Sequence, residues 1–251
     1  MNLWRLEWLR LLRTGRWIGL AAVFLLLGFG EPLATRYLGE LLSGAAGNGY
    51  IQVTVTKPQP SDGMGAYFGN ITTLGTLVIV VIAGLAFSVR ANPPLAALYL
   101  THVPGRIGLL VPRLVTMAAA AASASVVGGV AAAYETTLLL GAPAVRATAT
   151  GILISSLGAV FAVAVTFLAA MFLRGQVGTI AVALGATFVA VPFANLIPGI
   201  RNIGPAAFIA LPKQLQLTEW RTDDTRATVV TLLLAAACVA GGLWRASRWE
   251  L

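Results

Sequence analysis

The sequence predicts an all-α integral membrane protein with six transmembrane helices, and three observations carry that prediction. Of its 251 residues, 58% are hydrophobic and only 10% are charged, whereas a water-soluble domain of this length carries about 25% charged residues. The apolar residues are gathered into runs of the length a helix needs to cross the hydrocarbon core, about 20 residues. The basic residues stand at the ends of those runs, so membrane topology accounts for the formal charge of +8. No aromatic-interleaved basic patch points to nucleic acid as a partner.

Taken in order, residues 1–16 place Trp4, Trp8, Leu11 and Leu12 at i, i+4, i+7 and i+8, with Arg5, Arg10, Arg13 and Arg16 on the other side. That pattern predicts an amphipathic elbow helix in the headgroup layer, rings towards lipid and arginines towards phosphate. Trp17 to Gly30 has the length of a signal-peptide core, but no small-x-small cleavage site follows, so an uncleaved first span is expected. The six predicted spans are 17–38, 67–89, 107–133, 150–173, 177–197 and 227–244. The first carries Glu31 and Arg36 in its outer end, from where both side chains can snorkel to the interface. The third has Pro112 and Arg113 near its start, which predicts a kink or a late arrival in the core.

Two loops are long. Residues 39–66 hold Gly47-Asn48-Gly49, an alternating run Tyr50 to Thr56, and Lys57-Pro58-Gln59-Pro60, the pattern of a short hairpin or an ordered loop. In 198–226 the stretch Ile203 to Leu211 is apolar, bounded by Pro205 and Pro212, and too short to span; a re-entrant or interfacial helix is predicted. Between the second and third spans, Asn92 has the character of an N-cap, followed by Pro93 and Pro94, about two turns from Leu95 to Thr101, and a Pro104-Gly105 stop. These features predict a short helix outside the membrane. Most of the 17 Lys and Arg fall on the side of the two termini and of this short helix, which predicts that side to be cytoplasmic.

The chemistry in the chain is sparse. The single histidine, His102, rules out a His-pair metal site on one helix face. The membrane serines Ser123, Ser125, Ser155 and Ser156 lack the Gly-x-Ser-x-Gly turn of a hydrolase. The single cysteine, Cys238, can form no intramolecular disulfide. The acidic residues Glu31, Glu135, Glu219, Asp223 and Asp224 fall at span ends or in loops, which leaves an ion-coupled carrier without a midplane charge. The two lysines, Lys57 and Lys213, follow Thr56 and Pro212, so no Gly-Lys of a P-loop exists and any ATP must be hydrolysed by another polypeptide. No catalytic residue is expected in this chain.

Polar groups inside the spans are few. Asn70, Thr73 and Thr76, with Thr72 beside them, sweep one side of the second span. Two roles suit them: facing a substrate cavity or dimer seam, or returning their hydroxyls to backbone carbonyls while packing helices together. The Ala118 to Ala122 run, Gly128-Gly129, Gly151, Gly158, Gly185 and Gly241-Gly242 are small residues that let helices approach closely.

The first span leaves through Gly-Phe-Gly-Glu-Pro-Leu-Ala-Thr-Arg-Tyr-Leu-Gly-Glu-Leu-Leu (28–42), and Tyr-Phe-Gly-Asn opens the second. The stretch Leu100-Thr101-His102-Val103-Pro104-Gly105-Arg106 leads into the third. With the elbow helix, this resembles the permease subunit of a bacterial ABC exporter, of the two-component export type with a type V-like fold. The resemblance implies a multi-pass protein of the bacterial cytoplasmic (inner) membrane with both termini cytoplasmic. It also implies a second permease subunit, identical or paralogous, and a dimer of separate ATP-binding subunits that hold the ATP and magnesium; this chain would bind no cofactor. The helix at 92–106 would be the coupling helix, meeting the ATPase through Asn92, Pro93, Leu95, Leu98, Tyr99, Thr101, His102 and Arg106. Trp4, Arg5, Trp8, Arg10 and Arg13 would form the membrane-interface elbow, and Asn70, Thr73 and Thr76 would lie on the substrate pathway. A non-transporting assembly or immunity component shares the same topology, as does an ion-coupled carrier.

Overall fold

The computed structural model describes residues 3–45, 57–88, 106–194, 196–197 and 201–248. All regular structure among these residues is helical, and six of the helical stretches are long and apolar enough to cross a bilayer. The predicted short helix, up to Gly105, and the alternating run at 50–56 lie outside the described residues.

Helix α1 (Leu3–Arg13) is followed by α2 (Arg16–Ala45), which contains the first span. They are joined at Thr14-Gly15, where Gly15 has φ of 65°, a left-handed conformation that a residue without Cβ takes at little cost. The second span is α3 (Pro60–Asn70), a π-turn at Ile71–Gly75, and α4 (Thr76–Phe87). The third is α5 (Arg106–Leu139), which runs uninterrupted through Pro112. The fourth is α6 (Val145–Phe172). The fifth is α7 (Gln176–Gly185), a second π-turn at Ala186–Ala190, and the short α8 (Val191–Ala194). A ten-residue helix, α9 (Pro205–Gln214), precedes the sixth span, α10 (Thr222–Ser247).

Several elements outrun their predicted limits. The second span begins at Pro60, the third ends at Leu139, and the fourth and sixth begin at Val145 and Thr222. Apolar content alone set the narrower bounds, but helical hydrogen bonding continues where charged side chains already reach water. The second and fourth spans have 28 residues each and rise about 42 Å, the thickness of the hydrocarbon plus both headgroup layers. The first connection is correspondingly shorter than expected, because α2 continues to Ala45 and α3 starts at Pro60. In α9 the helix passes through Pro212 to Gln214, beyond the apolar run that announces it.

With six spans, α1, the end of span 2, the start of span 3, the turn between spans 4 and 5 and the end of α10 share one face, here the terminal face; the end of span 1, the start of span 2, the turn between spans 3 and 4, α9 and the start of span 6 share the distal face. Acidic residues cap two helices there. The Asp62 carboxylate accepts from the Gln59 N–H at 2.8 Å, and Asp224 accepts from the Arg221 N–H at 2.8 Å. Each satisfies an otherwise orphaned donor and puts negative charge at the positive end of the helix dipole.

In lipid, apolar burial does not drive helices together; close van der Waals approach and polar contacts do. Spans 1 and 3 share the most extensive helix contact, and they meet backbone to backbone: a Cβ on Gly28 would stand 2.5 Å from the Gly128 carbonyl oxygen, and one on Gly128 would stand 2.6 Å from that of Phe24. Gly84 instead admits the side chain of Ile180 between spans 2 and 5, and Gly242 the ring of Phe167 between spans 6 and 4. Span 4 is the hub. It touches spans 2, 3, 5 and 6 and α9, and its Phe167 meets Phe87 edge-on at 5.2 Å.

Candidate functional site

A cavity of about 330 Å³ lies between spans 2, 3, 4 and 5, closed on one side by Phe24 of the first span and on another by α9 through Ala206, Phe208, Ile209 and Pro212. Both π-turns border it: Ile71, Thr72 and Thr73 from one, Thr187 and Phe188 from the other. A π-turn widens the helix by one residue, which disturbs the regular pairing of the preceding carbonyls, and such turns recur at functional sites. Threonine hydroxyls serve those carbonyls here. Thr72 donates to the Phe68 carbonyl at 2.8 Å and Thr73 to that of Gly69 at 3.3 Å; Thr187 donates to Ala183 at 2.9 Å and Leu184 at 3.2 Å.

The threonine stripe borders this cavity and returns hydroxyls to its own helix at the same place. Thr73 and Thr76 line the cavity, while the Thr72 and Thr73 hydroxyls return to their own helix. Asn70 is not part of the lining. Thr187 completes the wall from span 5, where nothing in the apolar run set it apart from Thr179.

Two serines behave differently. Ser123 and Ser156 donate to carbonyls three residues back, at 3.0 and 2.7 Å. Ser125, 1% exposed, and Ser155 have buried hydroxyls with no hydrogen-bond partner among the described residues, and both line the cavity. The backbone at Ser125 is pinned instead, its carbonyl accepting from the fully buried Tyr67 hydroxyl at 3.3 Å.

A second space of about 830 Å³ opens on the distal face, lined by Arg146 and Thr150 of span 4 and by Leu215 to Trp220 beyond α9. It lies one helical turn along span 4 from the Ile154 and Ser155 that border the inner cavity. The last turn of α9 separates the two. Gln216, whose side-chain amide donates to the Pro212 carbonyl at 3.3 Å, would stand 3.4 Å from a Cβ on Gly151, and the ring of Phe68 would stand 2.7 Å from it.

At the terminal face a buried ion pair ties the elbow to the bundle. Arg113, 2% exposed, donates to Glu7 Oε1 from Nη2 at 2.9 Å and from Nε at 3.2 Å. Its Nη1 donates to the Ala86 carbonyl at the end of span 2, at 3.3 Å. Arg10 Nη1 stands 3.6 Å from the same Glu7 oxygen, and the Trp17 indole donates to the Ser123 hydroxyl at 3.2 Å. The elbow thus docks through Glu7 and Leu11, both buried, while Trp4, Trp8 and Leu12 on its other apolar face are exposed, with Arg5 and Arg13. Leu11 belongs to the protein rather than to the lipid-facing set in which the sequence puts it.

Of the expected coupling residues, Asn92, Pro93, Leu95, Leu98, Tyr99, Thr101 and His102 lie outside the described residues, and Arg106 is the first residue of α5. Arg36 reaches the distal end of span 1, its guanidinium carbon 5.8 Å from the Tyr37 ring centre. No protein-family model matches the sequence, and no curated protein matches it.

Proposed function

We propose that this chain is the transmembrane subunit of an ATP-driven exporter of the ABC class, forming the substrate pathway and worked by a separately encoded ATP-binding subunit. The observation that carries the reading is the clamp at Arg113, whose one guanidinium holds the elbow helix through Glu7 and the end of span 2 through the Ala86 carbonyl. Arg113 itself stands two turns into span 3. The span ends on both sides of the 89–105 segment are therefore joined to each other and to the elbow. A displacement delivered to that segment would move all three elements as one body.

The rest of the pathway suits the same reading. The inner cavity serves as the substrate chamber, and the distal space one turn further along span 4 as its outlet, with the last turn of α9 between them. On the reading of the basic residues, the clamp lies on the cytoplasmic side of a bacterial inner membrane, where ATP is. A second copy of the chain, or a paralogue, completes the transporter. ATP can drive the switch only if it binds the inward- and outward-facing states unequally.

Purification in mild detergent tests the class, and an ATP-binding subunit is expected to copurify. Co-expression with that subunit then tests the coupling. Leu98→Asp and Tyr99→Asp are expected to disrupt assembly and abolish substrate-stimulated ATP hydrolysis; if both survive intact, the coupling role is wrong.

A further inference from the structure

We propose that the cavity between spans 2, 3, 4 and 5 is a binding site for an uncharged, mostly apolar molecule that carries a hydroxyl or carbonyl oxygen, held by that oxygen at Ser125 and Ser155. The inference goes beyond transport and holds whether or not an ATPase drives the chain. Its basis is the pair of hydroxyls. Serines in a membrane helix ordinarily return their proton to a carbonyl of their own helix, as Ser123 and Ser156 do here. Ser125 and Ser155 do not, although their oxygens are buried. A buried hydroxyl left without a partner costs free energy that a ligand oxygen would recover.

The remaining walls define what else the ligand must be. Phe24, Ile79, Phe161, Phe188 and Phe208 supply hydrocarbon, and none of the described residues that line the cavity is charged. A charged group there would be desolvated without an opposite charge to meet it. The volume of about 330 Å³ falls at the lower end of the range for small-molecule sites, about 300–1,000 Å³. The way in is lateral, between spans 2 and 5: Thr73 on span 2 and Pro192 on span 5 line the cavity and are exposed.

The full chain in phosphatidylcholine nanodiscs, photolabelled with a diazirine-bearing octanol and with the matching octane that lacks the hydroxyl, tests this, with adducts mapped by peptide mass spectrometry. The octanol is expected to label Phe161, Phe188 or Phe208 saturably. Gly158→Leu should abolish that labelling by filling the space; a Cβ at Gly158 meets only Phe208, at 3.8 Å, so the side chain has room to begin. Ser125→Ala with Ser155→Ala should weaken octanol labelling about thirtyfold, the scale of two neutral hydrogen bonds, and leave octane labelling unchanged. This double variant removes only two oxygens and stands in if Gly158→Leu does not fold. Labelling that rises linearly with probe and survives Gly158→Leu would be partition into lipid alone and would overturn the proposal. So would an equal loss of both probes in the serine variant. No readout involves ATP, so failure here and failure of the transport reading are separate results.

Discussion

Glu7 and Arg113, 106 residues apart in the chain, meet at 2.9 Å with less than 5% of either residue exposed. The pair joins a helix that lies on the bundle to one that crosses it. Breaking a buried pair from one side strands the other charge, which costs roughly 3–5 kcal/mol. Glu7→Gln is therefore expected to lower the melting temperature in detergent markedly. Glu7→Gln combined with Arg113→Met should recover much of the loss, since no charge is then left buried. Equal destabilisation by the single and double variants would mean that the contact contributes through shape rather than charge.

Gly128 and Gly30 make a matched test of close approach. A Cβ on Gly128 meets the Phe24 carbonyl at 2.6 Å and the Tyr67 hydroxyl at 2.7 Å, whereas one on Gly30 meets nothing within 4 Å. Gly128→Ala should cost about 1–3 kcal/mol as an overpacked contact. Gly30→Ala should be neutral or slightly stabilising, because alanine favours helix over glycine by up to about 1 kcal/mol. Thermal unfolding followed by tryptophan fluorescence separates the two.

Tyr67→Phe removes one hydroxyl from a fully buried ring and leaves the Ser125 carbonyl without its side-chain donor. A loss of about 1 kcal/mol is expected. Because that carbonyl belongs to a cavity residue, labelling of the cavity by the octanol probe should also change in this variant.

The two distal caps should act independently. Asp62→Ala and Asp224→Ala each remove the acceptor for a helix-start N–H, at a cost of about 1 kcal/mol. They lie on different spans, so the double variant is expected to show the sum of the two losses; a clearly larger loss would mean that the starts of α3 and α10 unfold together.

The six spans and α9 were legible because both rest on length: about 20 apolar residues cross a bilayer, and the short run from Ile203 to Leu211 does not. Thr73 and Thr76 were legible as hydroxyls three residues apart in an otherwise apolar helix. The π-turns were not, since no residue type marks the extra member of a widened turn. Arg113 stood out as a charge near the start of a span, but its partner did not. Glu7 falls on the border between the tryptophan face and the arginine face of α1, and only the tertiary fold shows that Glu7 and Leu11 share the docked side. Ser125 and Ser155 are identical in sequence terms to Ser123 and Ser156; what separates them is which side of the helix faces empty space.

The two π-turns have a consequence for the spacing of everything beyond them. One residue too many in a turn rotates the rest of the helix by about 100° relative to unbroken α pitch. In span 2 the portion after Gly75 carries Gly84, whose missing side chain admits Ile180. Deleting a single residue between Ile71 and Gly75 would restore regular pitch and swing Gly84 away from Ile180, presenting a different face to span 5. A substitution at the same position leaves that register untouched. The shape of the cavity is thus encoded in how many residues each span contains as much as in which ones.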